Sequence, residues 1–176
     1  MKLAIIFLLS GPSEKYHKRL VKEVGPKFGE MYLIESTLPS HVTLKIPFTV
    51  KNSKKVEKII ERITHDNKTK IKVGGFGHFR KSVAFMKVNL SKREKQIQKE
   101  LIIELNKIGI RPQDHDINWK PHVTISYANK KETFDKIWKH LGKKNERKFE
   151  IFFDNISILK KYGEKDWRIY KEFKLN

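Results

Sequence analysis

Apolar positions along the chain alternate between two spacings, one that suits strands and one that suits helices. The opening run from Leu3 to Leu9 is short and continuously apolar, which predicts a strand buried on both faces. Ser13 offers an N-cap to a helix that turns Leu20, Val21 and Val24 inward, with Gly25 and Pro26 as its stop. A loop reaches Pro39, and residues 41–49 (HVTLKIPFT) read as a strand. Val56, Ile59, Ile60 and Ile63 trace one helix face. Lys70 to Val73 then begins a strand ahead of GGFGHFRK, which reads as a loop.

From Ser82 the order starts again. VAFMKVNL is a strand, and Ser91 with Glu94 forms a capping box for a helix that turns Ile97, Leu101, Ile102, Leu105 and Ile108 inward, with Gly109 as its stop. The polar loop RPQDHDINWKP leads to the strand HVTISYA. A helix with Phe134, Ile137, Trp138 and Leu141 follows, then a stretch from Lys148 to Leu159. A turn at Tyr162 to Asp166 precedes a last strand from Trp167 to Leu175. The distance from first strand to His-Val-Thr is similar in both parts: 36 residues from Ile5 to His41 and 39 from Val83 to His122. This duplication of pattern predicts one domain over 1–176, with halves of about 1–80 and 81–176 packed about a pseudo-twofold axis and a cleft between them.

Strand parity then makes a chemical prediction. Side chains alternate across a strand, so His41, Thr43 and Lys45 share one face while Val42, Leu44 and Ile46 share the other. The same parity groups His122, Thr124 and Ser126 on one face and sends Tyr127 toward the core. With seven His and seven Thr in 176 residues, chance supplies about 0.3 His-x-Thr occurrences. Two in matched apolar strands are therefore informative. Imidazoles titrate near neutrality, so one can accept a proton while its partner donates one, and the threonine hydroxyls can donate to phosphate oxygens. This chemistry needs no metal and no cofactor.

Composition narrows the partner. Lys+Arg outnumber Asp+Glu by 39 to 20, a formal net charge of +19, and charge of that size attracts polyanions such as nucleic acid. Surface-charge adaptation accounts for part of the same excess. Cysteine is absent, which excludes thiolate catalysis, cysteine-ligated zinc and disulfides, and fits a cytoplasmic location. The opening MKLAIIFLLSGPS reads as a buried strand rather than a signal peptide, because no A-x-A-like site follows it. No stretch approaches the apolar length that spans a bilayer.

The two segments PSHVTLKIPF and KPHVTISYA, with GGFGHF between them, resemble the 2H phosphoesterase superfamily and in particular its 2′-5′ RNA ligase and 2′,3′-cyclic phosphodiesterase branches. The resemblance implies an α+β, bilobal, pseudo-twofold fold in which two antiparallel-rich sheets flank a central cleft with helices outside. It implies that His41 and His122 are the catalytic pair and that Thr43 and Thr124 contact the phosphate. It further implies an enzyme acting on 2′,3′-cyclic phosphates of RNA ends or nucleotides, with 2′-5′ RNA ligation as the reverse transfer. The first strand, MKLAIIFLL, lacks the arginine-phenylalanine signature of many relatives, so the resemblance is to the superfamily more than to one branch.

Other residues carry lesser expectations. Lys45 and Ser126 would join the phosphate-binding face, and Trp119 is the preferred aromatic for base stacking, ahead of Phe48 and Tyr127. Asp114, His115 and Asp116 read as a polar loop rather than a metal site. His17, His65 and His140 read as exposed helix residues without a role. RNA or a nucleotide is the expected partner, and a monomer the expected state. The rival readings are a basic RNA-binding module without turnover, a 2H enzyme for a different nucleotide phosphoester, and a nucleic-acid coat protein. The coat protein explains the charge but not the paired motifs.

Overall fold

The computed structural model describes residues 1–65 and 67–176. Its strands are β1 (Lys2–Leu8), β2 (His41–Thr49), β3 (Thr69–Phe79), β4 (Val83–Asn89), β5 (His122–Tyr127), β6 (Lys148–Phe153), β7 (Asn155–Lys161) and β8 (Trp167–Lys174). The helices are α1 (Gly11–Phe28), α2 (Tyr32–Glu35), α3 (Lys54–Ile63), α4 (Lys92–Lys107), α5 (Asp114–Ile117) and α6 (Lys131–Gly142). The strands form two four-stranded sheets in the orders β2-β1-β7-β8 and β5-β4-β3-β6, and every neighbouring pair is antiparallel. This is the α+β architecture of two antiparallel sheets anticipated from the motif strands.

The sheets do not divide the chain into a front and a back half. β3 lies beside β4 in the second sheet, while β7 and β8 return to the first, so each part of the chain gives a strand to the sheet of the other. The continuous apolar stretch Lys148 to Leu159 is split at Asp154 into β6 and β7, which belong to different sheets. One large core, including Leu3, Ile5, Phe7, Leu44, Ile71 and Met86, runs beneath both sheets.

Two local predictions need correction, and both involve glycine. The first helix does not stop at Gly25–Pro26 but continues to Phe28, with Gly29 in the left-handed region at φ 75° as its cap. Gly25 serves packing instead, since a Cβ there would stand 2.8 Å from Ile34 Cγ1, where α2 crosses. GGFGHF is likewise strand rather than loop. Gly74 adopts φ 141°, and a Cβ on it would lie 2.0 Å from the Arg147 carbonyl oxygen, so glycine permits a kink within β3 where the turn before β6 presses on it. The capping box forms as predicted: the Ser91 N–H donates to Glu94 Oε2 at 2.5 Å and the Arg93 N–H to Ser91 Oγ at 3.1 Å.

The two motif strands share one irregularity. In β2, Ile6 faces Thr43 but Ile5 faces Lys45, which makes Leu44 an extra residue. In β5, Phe85 faces Thr124 and Ala84 faces Ser126, which makes Ile125 extra. A bulge therefore follows the threonine in both strands, and from that point the alternation of faces is reversed. Lys45 turns inward, fully buried, and donates to Asp116 Oδ2 at 2.6 Å. Asp116 also accepts from the Ile46 N–H at 3.1 Å and the Gln113 N–H at 2.9 Å, so α5 locks onto the strand just past its bulge. Removing one member of such a pair leaves the other charge buried and uncompensated. Asp116→Ala is expected to lower stability by about 3–5 kcal/mol, measured by urea unfolding; a loss below about 1 kcal/mol would show that the pair does not brace the fold.

Candidate active site

β2 and β5 are both edge strands, and they face one another across the molecule. Their His and Thr residues line a single cavity of about 520 Å³ that includes His41, Thr43, His122 and Thr124. The four side chains that parity placed on two polar faces thus meet in one cleft.

Both histidines are held in the same way. His41 Nδ1 donates to the Pro39 carbonyl and His122 Nδ1 to the Lys120 carbonyl, each at 2.7 Å and each two residues back along the chain. A carbonyl only accepts, so Nδ1 carries the proton in both rings and the neutral tautomer leaves a lone pair on Nε2. Among the described residues, neither Nε2 has a hydrogen-bond partner in the protein. His122 also rests against Phe79, with centroids 4.8 Å apart in an edge-on arrangement, and against Phe85 at 5.1 Å. The glycine-rich segment thereby contributes to the site through Phe79, which props a motif imidazole.

Electrostatics favour neutral rings in the empty cleft. Withdrawal from water pushes His41 down to about 4 against the upward pull of the Pro39 carbonyl, and His17 and His122 add to the lowering. Withdrawal from water also lowers His122, with His115 adding to it and the Lys120 carbonyl opposing. An anion bound between the rings would raise both values and favour one proton shared over the pair. Two imidazoles so placed can take a proton from one side of a bound group and return one to the other.

Beyond the bulges the structure departs from parity. Lys45 and Ser126, expected beside the threonines, are both buried, and the Lys45 charge is held by Asp116. Tyr127, expected in the core, lines the cleft and meets Tyr32 edge-on with centroids 5.7 Å apart. Trp119 is partly buried against the core, and its Nε1–H donates to the Thr43 carbonyl at 2.7 Å. Phe48 is buried. His17 and His140 were expected on the surface. His17 is 7% exposed and lines the cleft, while His140 lies 2.7 Å from a Glu23 oxygen. The clue to His17 lay in the pattern itself, since it falls on the helix face of Leu20, Val21 and Val24. Asp116 is committed to Lys45 and backbone donors, and among the described residues no three His, Asp or Glu side chains gather as a metal site requires. No helix among the described residues is long and apolar enough to cross a membrane.

Two antiparallel sheets that appose a pair of His-x-Thr edge strands across one cleft define the 2H phosphoesterase class. The chain belongs to the 2′-5′ RNA ligase superfamily, whose family model matches residues 35–165. Similar solved structures include TT0787 of Thermus thermophilus, at 13% identity over 99% of this chain and 98% of that one with a TM-score of 0.64. Apo LigT of E. coli is similar at 15% identity over 99% and 96% with a TM-score of 0.62. LigT complexed with 3′-AMP is similar at 11% identity over 99% and 97%, also at 0.62. At these identities the likeness is one of fold. No curated protein matches the sequence.

The lowered imidazoles fix the sign of a pH effect. A histidine whose folded pKa lies below its unfolded value near 6.5 stabilises the fold fully above that pH and loses the contribution as pH falls. His17, His41 and His122 all act in this direction, while most glutamates are still ionised at pH 5. From pH 7 to 5 the share of His41 is about 2 kcal/mol. Urea unfolding at the two pH values should show lower stability at pH 5, with a smaller drop in His41→Gln; an equal drop in that variant would contradict the assignment.

Proposed function

We propose that the protein hydrolyses 2′,3′-cyclic phosphates at RNA ends or on nucleotides, with His41 and His122 as its acid/base pair and 2′-5′ RNA ligation as the reverse type of transfer. The observation that carries this reading is the matched presentation of two unpartnered Nε2 atoms in one cleft, each beside a threonine of its own strand.

The reaction follows from that arrangement. One neutral imidazole takes a proton from water as the water oxygen bonds to phosphorus. The bond from phosphorus to one ribose oxygen breaks, and the other imidazole, protonated when the anion binds, gives its proton to the departing oxygen. The product is a phosphomonoester. The proton has moved from one ring to the other, and exchange with solvent restores the starting state. Thr43 and Thr124 hydroxyls donate to the non-bridging oxygens, whose charge is redistributed in the transition state. Base contact falls to Tyr127 and Tyr32, which line the same cavity. LigT has been crystallised with 3′-AMP, ATP and phosphate, which supports a nucleotide as the ligand class here. The net charge of +19 supports RNA as its larger form.

With EDTA present, wild-type protein is expected to open 2′,3′-cyclic AMP and an RNA ending in a 2′,3′-cyclic phosphate. His41→Ala and His122→Ala should each lose at least about a hundredfold in rate, followed by chromatography of the monophosphate product. RNA binding without turnover by the wild type would replace this reading with that of a binding module.

A further inference from the structure

His17 is the buried titratable group that the chemistry above leaves unused, and it touches both motif strands or their lead-in. From α1 its Nε2–H donates to the Thr124 carbonyl in β5 at 2.7 Å, and its Nδ1 lies 2.7 Å from the hydroxyl of Ser40, the residue that precedes His41. The carbonyl can only accept, so Nε2 bears the proton. Burial holds the ring below the usual histidine range, so Nδ1 accepts from the Ser40 hydroxyl. Across the cleft, Trp119 donates to the Thr43 carbonyl at 2.7 Å. Each edge strand turns the carbonyl of its motif threonine outward, where its sheet has no further strand to bond it. Each of these carbonyls is taken by an aromatic N–H from the opposite side of the cleft. The two braces come from unrelated places in the sequence, one from a helix and one from a loop, yet they hold equivalent atoms.

We propose that His17 is a positioning residue that pins the second motif strand to the lead-in of the first, so that His41 and His122 reach one phosphate together. The proposal rests on the hydrolytic reading of the cleft. Reaction of a bound phosphate with two groups from different sheets depends on the spacing between them, and a displacement of about 1 Å costs on the order of a hundredfold in rate. Substrate affinity, spread over the cleft walls, is less sensitive to the same displacement.

The test is steady-state hydrolysis of 2′,3′-cyclic AMP by full-length wild type, His17→Phe, which keeps a ring of similar size without its hydrogen bonds, and His17→Gln, which keeps a donor and an acceptor. A melting curve first establishes that each variant is folded at the assay temperature. The expected result is a kcat at least tenfold lower in His17→Phe with KM within threefold of wild type, and a kcat within threefold of wild type in His17→Gln. A folded His17→Phe with kcat within twofold of wild type overturns the proposal, as does an equal loss in both variants. If His17→Phe does not fold, Ser40→Ala removes one arm of the brace and must lower kcat at least threefold. If the wild type does not turn over, the hydrolytic reading fails, and inorganic phosphate tests the positioning by itself. In that case, side-chain NMR signals of His41 and His122 should respond to phosphate with one Kd in the wild type and a Kd at least fivefold weaker in His17→Phe; an unchanged Kd overturns the proposal.

Discussion

The structure depends on keeping two edge strands close without letting them pair. An edge strand presents a row of unbonded backbone groups, and two such rows face to face would ordinarily join into one sheet. Here β2 and β5 end their respective sheets and face each other with the cleft between them. The groups that would have bonded across the gap are taken by side chains: Thr43 O by Trp119, Thr124 O by His17, and the Ile46 N–H by Asp116. The cleft is thus a seam between sheets, held open because its hydrogen bonds are satisfied crosswise.

The bulges extend the same logic to the side chains. A bulge one residue after each threonine ends the polar face at the point where the phosphate chemistry ends. It sends the next polar residue, Lys45 or Ser126, into the interior. In β5 it returns Tyr127 to the cleft. A fully buried lysine in a chain with a net charge of +19 is expensive to desolvate. Asp116 offsets that cost, and in doing so anchors the loop that carries Trp119 toward Thr43.

Most of the fold was legible because strand and helix periods show which residues face inward. The seven-residue span Leu3–Leu9, the capping box at Ser91 and Glu94, and the convergence of the paired His-Val-Thr strands all follow from pattern. Parity failed where it must, one residue past each threonine, because a bulge leaves no mark in a run of apolar and polar positions. The exchange of β3 and β7 between sheets was also hidden, since period tells which way a side chain points and not which strand lies alongside. His17 was readable in principle from its place on an apolar helix face. Its lysine neighbours drew attention to the wrong side of the helix.

The traded strands also set the order in which the molecule can be assembled. β1 is flanked by β2, some forty residues on, and by β7, where Leu3 lies opposite Lys160 near the far end of the chain. Contacts of such long separation make folding slow. During synthesis the apolar first strand, Leu3 to Phe7, must wait without its inner neighbour until most of the polypeptide has emerged. A chain cut at the midpoint would lack partners in both sheets. The apparent duplication is therefore two interlocked parts rather than two modules, and the cleft comes into being only when the last strands arrive.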